Sequence, residues 1–349
     1  MKIALITDQH FGARKNSKLF HDYFLKFYND IFFPTLEKEG ITTIVDMGDT
    51  FDNRTGINFS ALKWAKDNYY DKIRDMGCLL HTIVGNHTAY YKNTNDINAV
   101  DLLLREYENV IVYPEAQDVK VGDLSVLFIP WINSDNQEKT YKKIRDSKSK
   151  VAMGHLELSG FAANLQCIMD HGDDKKRYSK FEKVFSGHYH TRNFQDNIYY
   201  TGNCYEIYWN DHNDVRGFTI FDTETLEHYH VDNPYRIFYN IIYEDTDYRK
   251  FNYQEYEDKI VKVIVRKKSN DKNFEKFIDK LYCSNVADTK IVENYDFNGW
   301  YTKEQIQEIE SENTLSLLNR YIQESEIDLD KGKLSKIIEE VYQEACEMI

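Results

Sequence analysis

The sequence predicts a layered α/β domain, followed by a small α+β unit and a helical tail. Three observations carry that reading. Short runs of small or branched apolar residues alternate with helical periodicity over the first two-thirds of the chain. The pattern changes near Asn233-Pro234. Beyond residue 300, acidic stretches carry apolar residues at helical spacing. With 349 residues, the chain is long enough for one large core and one or two small ones.

The elements follow in order. Lys2–Thr7 reads as a strand. Ser17–Glu39 reads as a helix, with Phe20, Phe24, Phe27 and Ile31 on one face, Gly40 as its stop and Pro34 kinking or splitting it. Thr42–Met47 is a strand, Phe59–Met76 a helix ending at Gly77, Leu80–Val84 a strand, Ile97–Tyr107 a helix and Leu124–Ile129 a strand. Val151–Met153 and Val184–Ser186 are short buried strands. Ile198–Thr201, Phe218–Phe221 and Tyr229–Val231 read as an antiparallel set. Past residue 233, strands at Tyr235–Tyr243, Lys259–Arg266 and Thr289–Glu293 with a helix at Asn273–Leu281 make the small unit. Lys303–Glu324 and Leu334–Ala345, joined by a turn at Asp328–Gly332, make a helical hairpin with an apolar face. The expected divisions are 1–232, 233–298 and 299–349.

Composition narrows the class. Hydrophobic residues at 42% and charged residues at 29% describe a globular chain. No apolar run approaches the roughly 20 residues that cross a bilayer, and the chain opens directly on a strand, so no signal peptide is expected. Five scattered cysteines without a CxxC pair argue against a disulfide framework and a thiolate zinc site, and fit a reducing cytoplasm. The net charge of -14 means that a nucleic acid could be held only by a local basic surface or a partner.

Five stretches end apolar runs with metal-binding side chains: Asp8-Gln9-His10, Gly48-Asp49-Thr50-Phe51-Asp52, Gly85-Asn86-His87, Gly154-His155 and Gly187-His188-Tyr189-His190. A single Gly-His is commonly a core or surface histidine. Five in order, each past a strand, are far more specific, because strand ends converge on one sheet edge. The candidate ligands Asp8, His10, Asp49, Asn86, His155, His188 and His190 mix oxygen and nitrogen, which suits manganese, iron or zinc rather than calcium. Such a set can hold two cations about 3.5–4 Å apart and bring the pKa of a shared water toward about 7. His87, beside a ligand, can donate to a phosphoryl oxygen or a leaving group.

The series DxH, GDxFD, GNH, GH and GHxH resembles the calcineurin-like metallophosphoesterases, and with Phe51 and the GHxH ending it resembles the SbcD-type recombination and repair nucleases. Ile129-Pro130-Trp131, the run Gly154–Phe161 and Arg216-Gly217-Phe218 support the likeness, which is close over residues 1–232 and looser beyond. The resemblance implies a layered β-sandwich flanked by helices, a capping domain and a C-terminal helical hairpin. It implies two divalent ions, manganese ahead of magnesium. Asp8, His10 and His190 would hold one, Asn86, His155 and His188 the other, with Asp49 bridging and His87 assisting at the scissile phosphate. It further implies a DNA exonuclease and single-strand endonuclease that works as a homodimer with an SbcC-type coiled-coil ABC ATPase gripping the C-terminal hairpin.

Two positions depart from that pattern. Thr88 stands where the family usually has an acid, which bears on the proton-donating strength of His87. Asp52 stands where many SbcD-type nucleases carry a second catalytic histidine, and reads as a support rather than a phosphate contact. For DNA contacts the first candidates are Lys175, Lys176, Arg177 and Lys180, between His155 and His188 in sequence. Lys142–Lys150 and Arg266–Lys268 are further basic runs, though such runs are most often solvated surface. Two competing readings are a small-substrate phosphoesterase, against which the capping unit and tail speak, and a catalytically weak DNA-end-binding regulatory subunit, which Thr88 favours and the complete ligand set opposes.

Overall fold

The computed structural model describes residues 1–165 and 167–293, with 322, 330–335, 337 and 338 beyond them. Nearly all of the expected hairpin over 299–349 therefore lies outside the described residues.

Two six-stranded sheets face each other. In the first, Lys2–Ile6, Thr43–Asp46, Leu79–Ile83 and Val110–Tyr113 run parallel, with Gly217–Asp222 and His228–Asp232 added antiparallel beside Lys2–Ile6. In the second, Leu124–Ile129, Val151–His155, Lys183–Gly187 and Ile198–Tyr200 run parallel, flanked antiparallel by Gln117–Val121 and Asn193–Gln195. The central strands are continuous apolar runs because both of their faces are covered. Side chains alternate across a strand, so Ile3 and Leu5 meet Val126, Val151, Met153 and Phe185 between the sheets. Ala4 and Ile6 face the helical layer. On the far side, Ala152 and Val184 pack under the helix Gln137–Asp146 through Ile144.

The helical layer is aromatic. Phe20, Phe24 and Phe27, spaced as expected, bury against Tyr205 and Phe218, and the Phe24 and Tyr205 rings stack at 3.7 Å. The first long helix is split, as Pro34 requires, into Lys18–Phe27 and Phe33–Glu39, with a π-turn at Tyr28–Phe32 between them. Proline lacks an N–H for the preceding turn, and the wider π-turn takes up the mismatch. A second π-turn, Lys66–Tyr70, interrupts the helix that starts at Phe59. It turns Tyr69 and Tyr70 fully inward.

Several elements differ from expectation. Ile198–Tyr200 does not join an antiparallel set with the two later strands; it pairs parallel with Lys183–Gly187 in the other sheet. Periodicity reports which face of a strand is buried and not which sheet it joins. Helix was expected from Ile97, yet a hairpin of Ala89–Tyr91 and Thr94–Asn98 precedes a short helix, Ala99–Leu103. The Asn98 side chain accepts from the Asp101 N–H at 2.8 Å and sets that boundary.

The small unit is a three-stranded parallel sheet, Phe238–Glu244, Ile260–Lys267 and Asp288–Glu293. The helix Asp271–Cys283 covers it, burying Phe274, Phe277, Ile278 and Leu281. Its link to the sandwich is buried and polar. Glu206 Oε2 accepts from the N–H groups of Ile237 at 2.8 Å and Phe238 at 3.0 Å, and Phe238 packs on Trp209.

Phe24 joins the helical layer to the loop that carries Tyr205. Phe24→Ala is expected to destabilise the chain by about 3–5 kcal/mol through the cavity it leaves, measured as a lowered urea midpoint.

Candidate metal centre

Every candidate ligand lies at the C-terminal end of a parallel strand or in the loop just past it. Asp8 and His10 follow Lys2–Ile6, Asp49 follows Thr43–Asp46, Asn86 follows Leu79–Ile83, His155 ends its strand, and His188 and His190 follow Lys183–Gly187. The first two loops zip together through Asp8 N–H to Gly48 O and His10 N–H to Asp49 O, both 2.9 Å. Asp8, His10, Asp49 and His188 all adopt positive φ, at 50°, 45°, 53° and 85°. Such backbone costs about 1–3 kcal/mol per residue and persists where the surroundings over-determine it. Two glycines permit the approach of the loops. A Cβ on Gly187 would lie 1.9 Å from Thr7 Oγ1, and one on Gly85 would lie 2.2 Å from Asp49 Oδ1.

The side chains gather into two adjoining groups. In the first, Asp8 Oδ1 lies 3.9 Å from His10 Nε2 and 4.0 Å from His190 Nε2, and the two imidazole nitrogens are 3.3 Å apart. Asp8 Oδ2 is satisfied by the Thr7 hydroxyl at 2.7 Å and the His188 N–H at 3.0 Å, whereas the buried Oδ1 has no hydrogen-bond partner. In the second group, Asn86 Oδ1 lies 2.9 Å from His155 Nε2 and 3.0 Å from His188 Nδ1, and Asp49 Oδ2 lies 3.1 Å from His155 Nε2.

Contacts behind two of the ligands orient their rings. His155 Nδ1–H donates to Met47 O at 2.9 Å, leaving Nε2 to face Asn86 and Asp49 as a lone pair. Asp52 Oδ1 lies 3.2 Å from His10 Nδ1, an ion-pair distance without hydrogen-bond geometry, on the side of the ring away from Asp8. What converges is thus a set of acceptors with few donors among them, and the donor set fits two divalent cations. The electrostatics agree. Burial disfavours a charge on His10, yet Asp52, Asp49 and Asp8 outweigh it and push its pKa up to about 9. Burial acts likewise on His155, and Asp49 and Asp8 push it up to about 9. Asp49 is held well below the usual carboxylate range despite its burial, because His155, His87 and His10 surround it. The cavity calls for positive charge and, without metal, takes it as protons.

His87 stands beside this centre. Its N–H donates to Asp49 Oδ1 at 2.8 Å and its Nδ1–H donates to Asp52 O at 2.8 Å, which leaves Nε2 free. Burial and the neighbouring His10 lower its pKa, with Asp49 opposing. Thr88 is bound to the Gly85 turn, accepting from Gly85 N–H and donating to Gly85 O. The orienting contact sought in an acid after His87 comes instead from the Asp52 carbonyl.

The supports beneath the centre were not legible in the motifs. Asp46 is buried, and burial with nearby Asp8 pushes its pKa up to about 7 against the pull of its donors Thr50, Gly48 and Gln9. Gln9 Nε2 donates to it at 2.9 Å, while Tyr28 and Tyr205 each donate to Gln9 at 2.6 Å. Arg216 is fully buried, donates to His190 O, Asn203 Oδ1 and, at 3.0 Å, Asp211 Oδ1, and pairs with Asp214 at 3.0 Å. The Arg216 guanidinium, with His190, holds Asp211 far below the usual carboxylate range against its burial.

The basic run Lys175, Lys176, Arg177 and Lys180 does not gather here. It precedes Lys183, where the strand Lys183–Gly187 begins, so it joins that strand at the end opposite the ligands. Lys175 pairs with Asp196 at 2.8 Å, Arg177 pairs with Asp173 and lies over Tyr141, and Lys180 donates to the carbonyls of Ile144, Arg145 and Ser147. Closeness in sequence to His188 did not translate into closeness to the centre. Arg266, Lys267 and Lys268 are likewise paired, with Glu244, Asp245 and Glu293.

Replacing Arg216 leaves Asp211 buried and unpaired. Arg216→Met is expected to cost about 3–5 kcal/mol, read by urea unfolding, and to weaken one of the two metal sites about 10–100-fold, read by manganese titration. If both sites keep their affinity, the clamp on His190 is not what positions it.

No family model matches the sequence. The chain is similar to exonuclease subunit 1 of Enterobacteria phage T4, with 30% identity over 349 residues covering 99% of this chain and 100% of that protein. Among solved structures it shows a slight likeness to a novel archaeal phosphodiesterase, 14% identical, covering 67% of this chain and 100% of that one at a TM-score of 0.36. End-to-end identity with the phage protein, joined to the ordered ligand set, places the chain in the exonuclease subunit 1 family of SbcD-type metallophosphoesterases.

Proposed function

We propose that the chain is the nuclease subunit of a DNA-processing complex, hydrolysing phosphodiesters with two divalent ions, manganese first. The carrying observation is the pair of adjoining acceptor groups at the strand ends, in a chain similar along its whole length to an exonuclease subunit. Asp8, His10 and His190 would hold one ion and Asn86, His155 and His188 the other, with Asp49 between them. Bound there, the ions supply Lewis acidity toward phosphoryl oxygens and an acidified water.

The chain's own groups do the rest. Met47 O fixes the imidazole tautomer of His155, and the Asp52 carboxylate stands 3.2 Å from His10 Nδ1. His87 keeps Nε2 free beside the centre, placed to exchange a proton with a reacting oxygen, and burial, the main cause of its lowered pKa, favours the neutral ring. Because Asp52 O orients His87, the absence of an acid at Thr88 does not by itself imply a weak subunit. Exonuclease action on duplex ends, endonuclease action on single strands, homodimerisation, an SbcC-type ATPase partner at residues 299–349, DNA contacts through 233–298 and residence in the cytoplasm all belong to this reading. Among the described residues no helix is long and apolar enough to cross a membrane.

The test is release of nucleotides from end-labelled duplex DNA with manganese, beside an Asp49→Asn, His188→Ala double variant. Release by the native chain only is expected. No release by the native chain, alone or with an SbcC-type ATPase and ATP, sinks the reading. His87→Gln is expected to slow cleavage about 10²–10⁴-fold with both metals retained, a split that separates its role from that of the ligands.

A further inference from the structure

A groove of about 510 Å³ opens directly beside His87. It is walled by the loop after His10 and the loop after Asp52, with Lys92 reaching in from the hairpin that follows the His87 turn. Three cations line it, Lys15, Arg54 and Lys92, against a single carboxylate, Asp52. Asp52 is already turned to His10 Nδ1 at 3.2 Å and to the Tyr208 hydroxyl at 3.3 Å. Among the described residues none of the three cations forms an ion pair, in contrast to Lys175, Lys143, Lys150 and Lys267. Arg54 lies 5.4 Å from the Trp131 ring, and its buried Nη1 has no hydrogen-bond partner. In a chain of net charge -14, a groove of unpaired cations next to the proposed reaction site is a local reversal of sign.

The wall around Lys15 is also held in an unusual shape. Arg14, Lys15 and Asn16 all have left-handed backbone, with φ of 55°, 59° and 61°, after Gly12 at 93°. Non-glycine residues seldom adopt this conformation singly, and a run of three is disfavoured at each. The run places both Lys15 and Asn16 on the groove. Just before Lys92 in the chain, beside the residues that line the groove, the strand Ala89–Tyr91 exposes two large aromatics. Tyr90 and Tyr91 are 44% and 50% exposed, edge to face at 4.8 Å.

We propose that this groove seats an unpaired DNA strand next to the scissile bond, with phosphates on Lys15, Arg54 and Lys92 and a base against Tyr90 and Tyr91. Cations in a groove track a backbone of any sequence, and an aromatic surface stacks bases only where their faces are unpaired. The pairing of the two features therefore selects a single strand, including a frayed duplex end, over an intact duplex. The inference rests on the nuclease reading and extends it by assigning the strand's path.

Binding tests it without cleavage. The full-length chain is mixed, without divalent metal, with a fluorescein-labelled single-stranded oligonucleotide or its blunt duplex, and anisotropy is followed across salt concentrations. The triple variant Lys15→Ala, Arg54→Ala, Lys92→Ala is expected to weaken single-strand binding roughly tenfold or more, and to reduce the slope of log affinity against log salt by about 2, near 0.7 per lost contact. Tyr90→Ala, Tyr91→Ala is expected to weaken single-strand binding about 5-fold or more while changing duplex binding less. Lys92→Ala alone, at an exposed hairpin tip, gives a share of the slope change should the triple variant unfold. An unchanged slope, or equal losses on single strand and duplex from the tyrosine variant, overturns the proposal. Failure of the native chain to release nucleotides with manganese would instead overturn the nuclease reading, so the two failures are told apart.

Discussion

The structure depends on one electrostatic constraint. Carboxylate, amide and imidazole acceptors from five strand ends are brought within a few ångströms of one another in a space largely closed to water. Without cations, these groups repel or leave lone pairs unmet, as Asp8 Oδ1 does. Protons can substitute in part, which is why His10 and His155 are pushed up to about 9 by the carboxylates around them. Metal ions resolve the same constraint with more charge and fixed geometry.

Much of the fold holds that arrangement in place. The parallel strands point their C-terminal ends at one edge, the first two loops hydrogen-bond to each other, and four ligand residues are kept at positive φ. Beneath them a polar chain runs from Tyr28 and Tyr205 through Gln9 to Asp46, each link hydrogen-bonded. A buried network of this kind stabilises only when its members are satisfied, and here it fixes the Asp8 and Asp49 loops from below. On the other side Arg216 ties the His190 loop to Asp211 and Asp214. The π-turn after Phe27 belongs to the same scheme, since it sets the position from which Tyr28 reaches Gln9.

The ligands were legible in the sequence because each lies within four residues of an apolar strand end. Most of the central strand cores and the split at Pro34 were legible for a related reason: local periodicity and backbone chemistry decide them, whereas the edge strands Val110–Tyr113, Gln117–Val121 and Asn193–Gln195 were not expected. What escaped depends on contacts between distant segments. Sheet membership of Ile198–Tyr200 is set by pairing, and no local pattern encodes it. Asp46 reads as an ordinary strand terminus until Gln9 and Thr50 close on it. The basic run at Lys175 was drawn toward the site by its place in the sequence, whereas a strand's length carries it to the other edge. Lys15, Arg54 and Lys92 are scattered singly along the chain and become a group only when three loops meet.

In the proposed function two ions, and not protons alone, complete the cluster. Manganese titration of metal-free protein, followed by calorimetry and by the electron paramagnetic resonance signal of the free ion, tests it most directly. Two ions bound per chain, release of protons on binding, and loss of one ion in His10→Ala are expected. Binding of no ion, or binding whose stoichiometry is the same in His10→Ala and in the native chain, would contradict it.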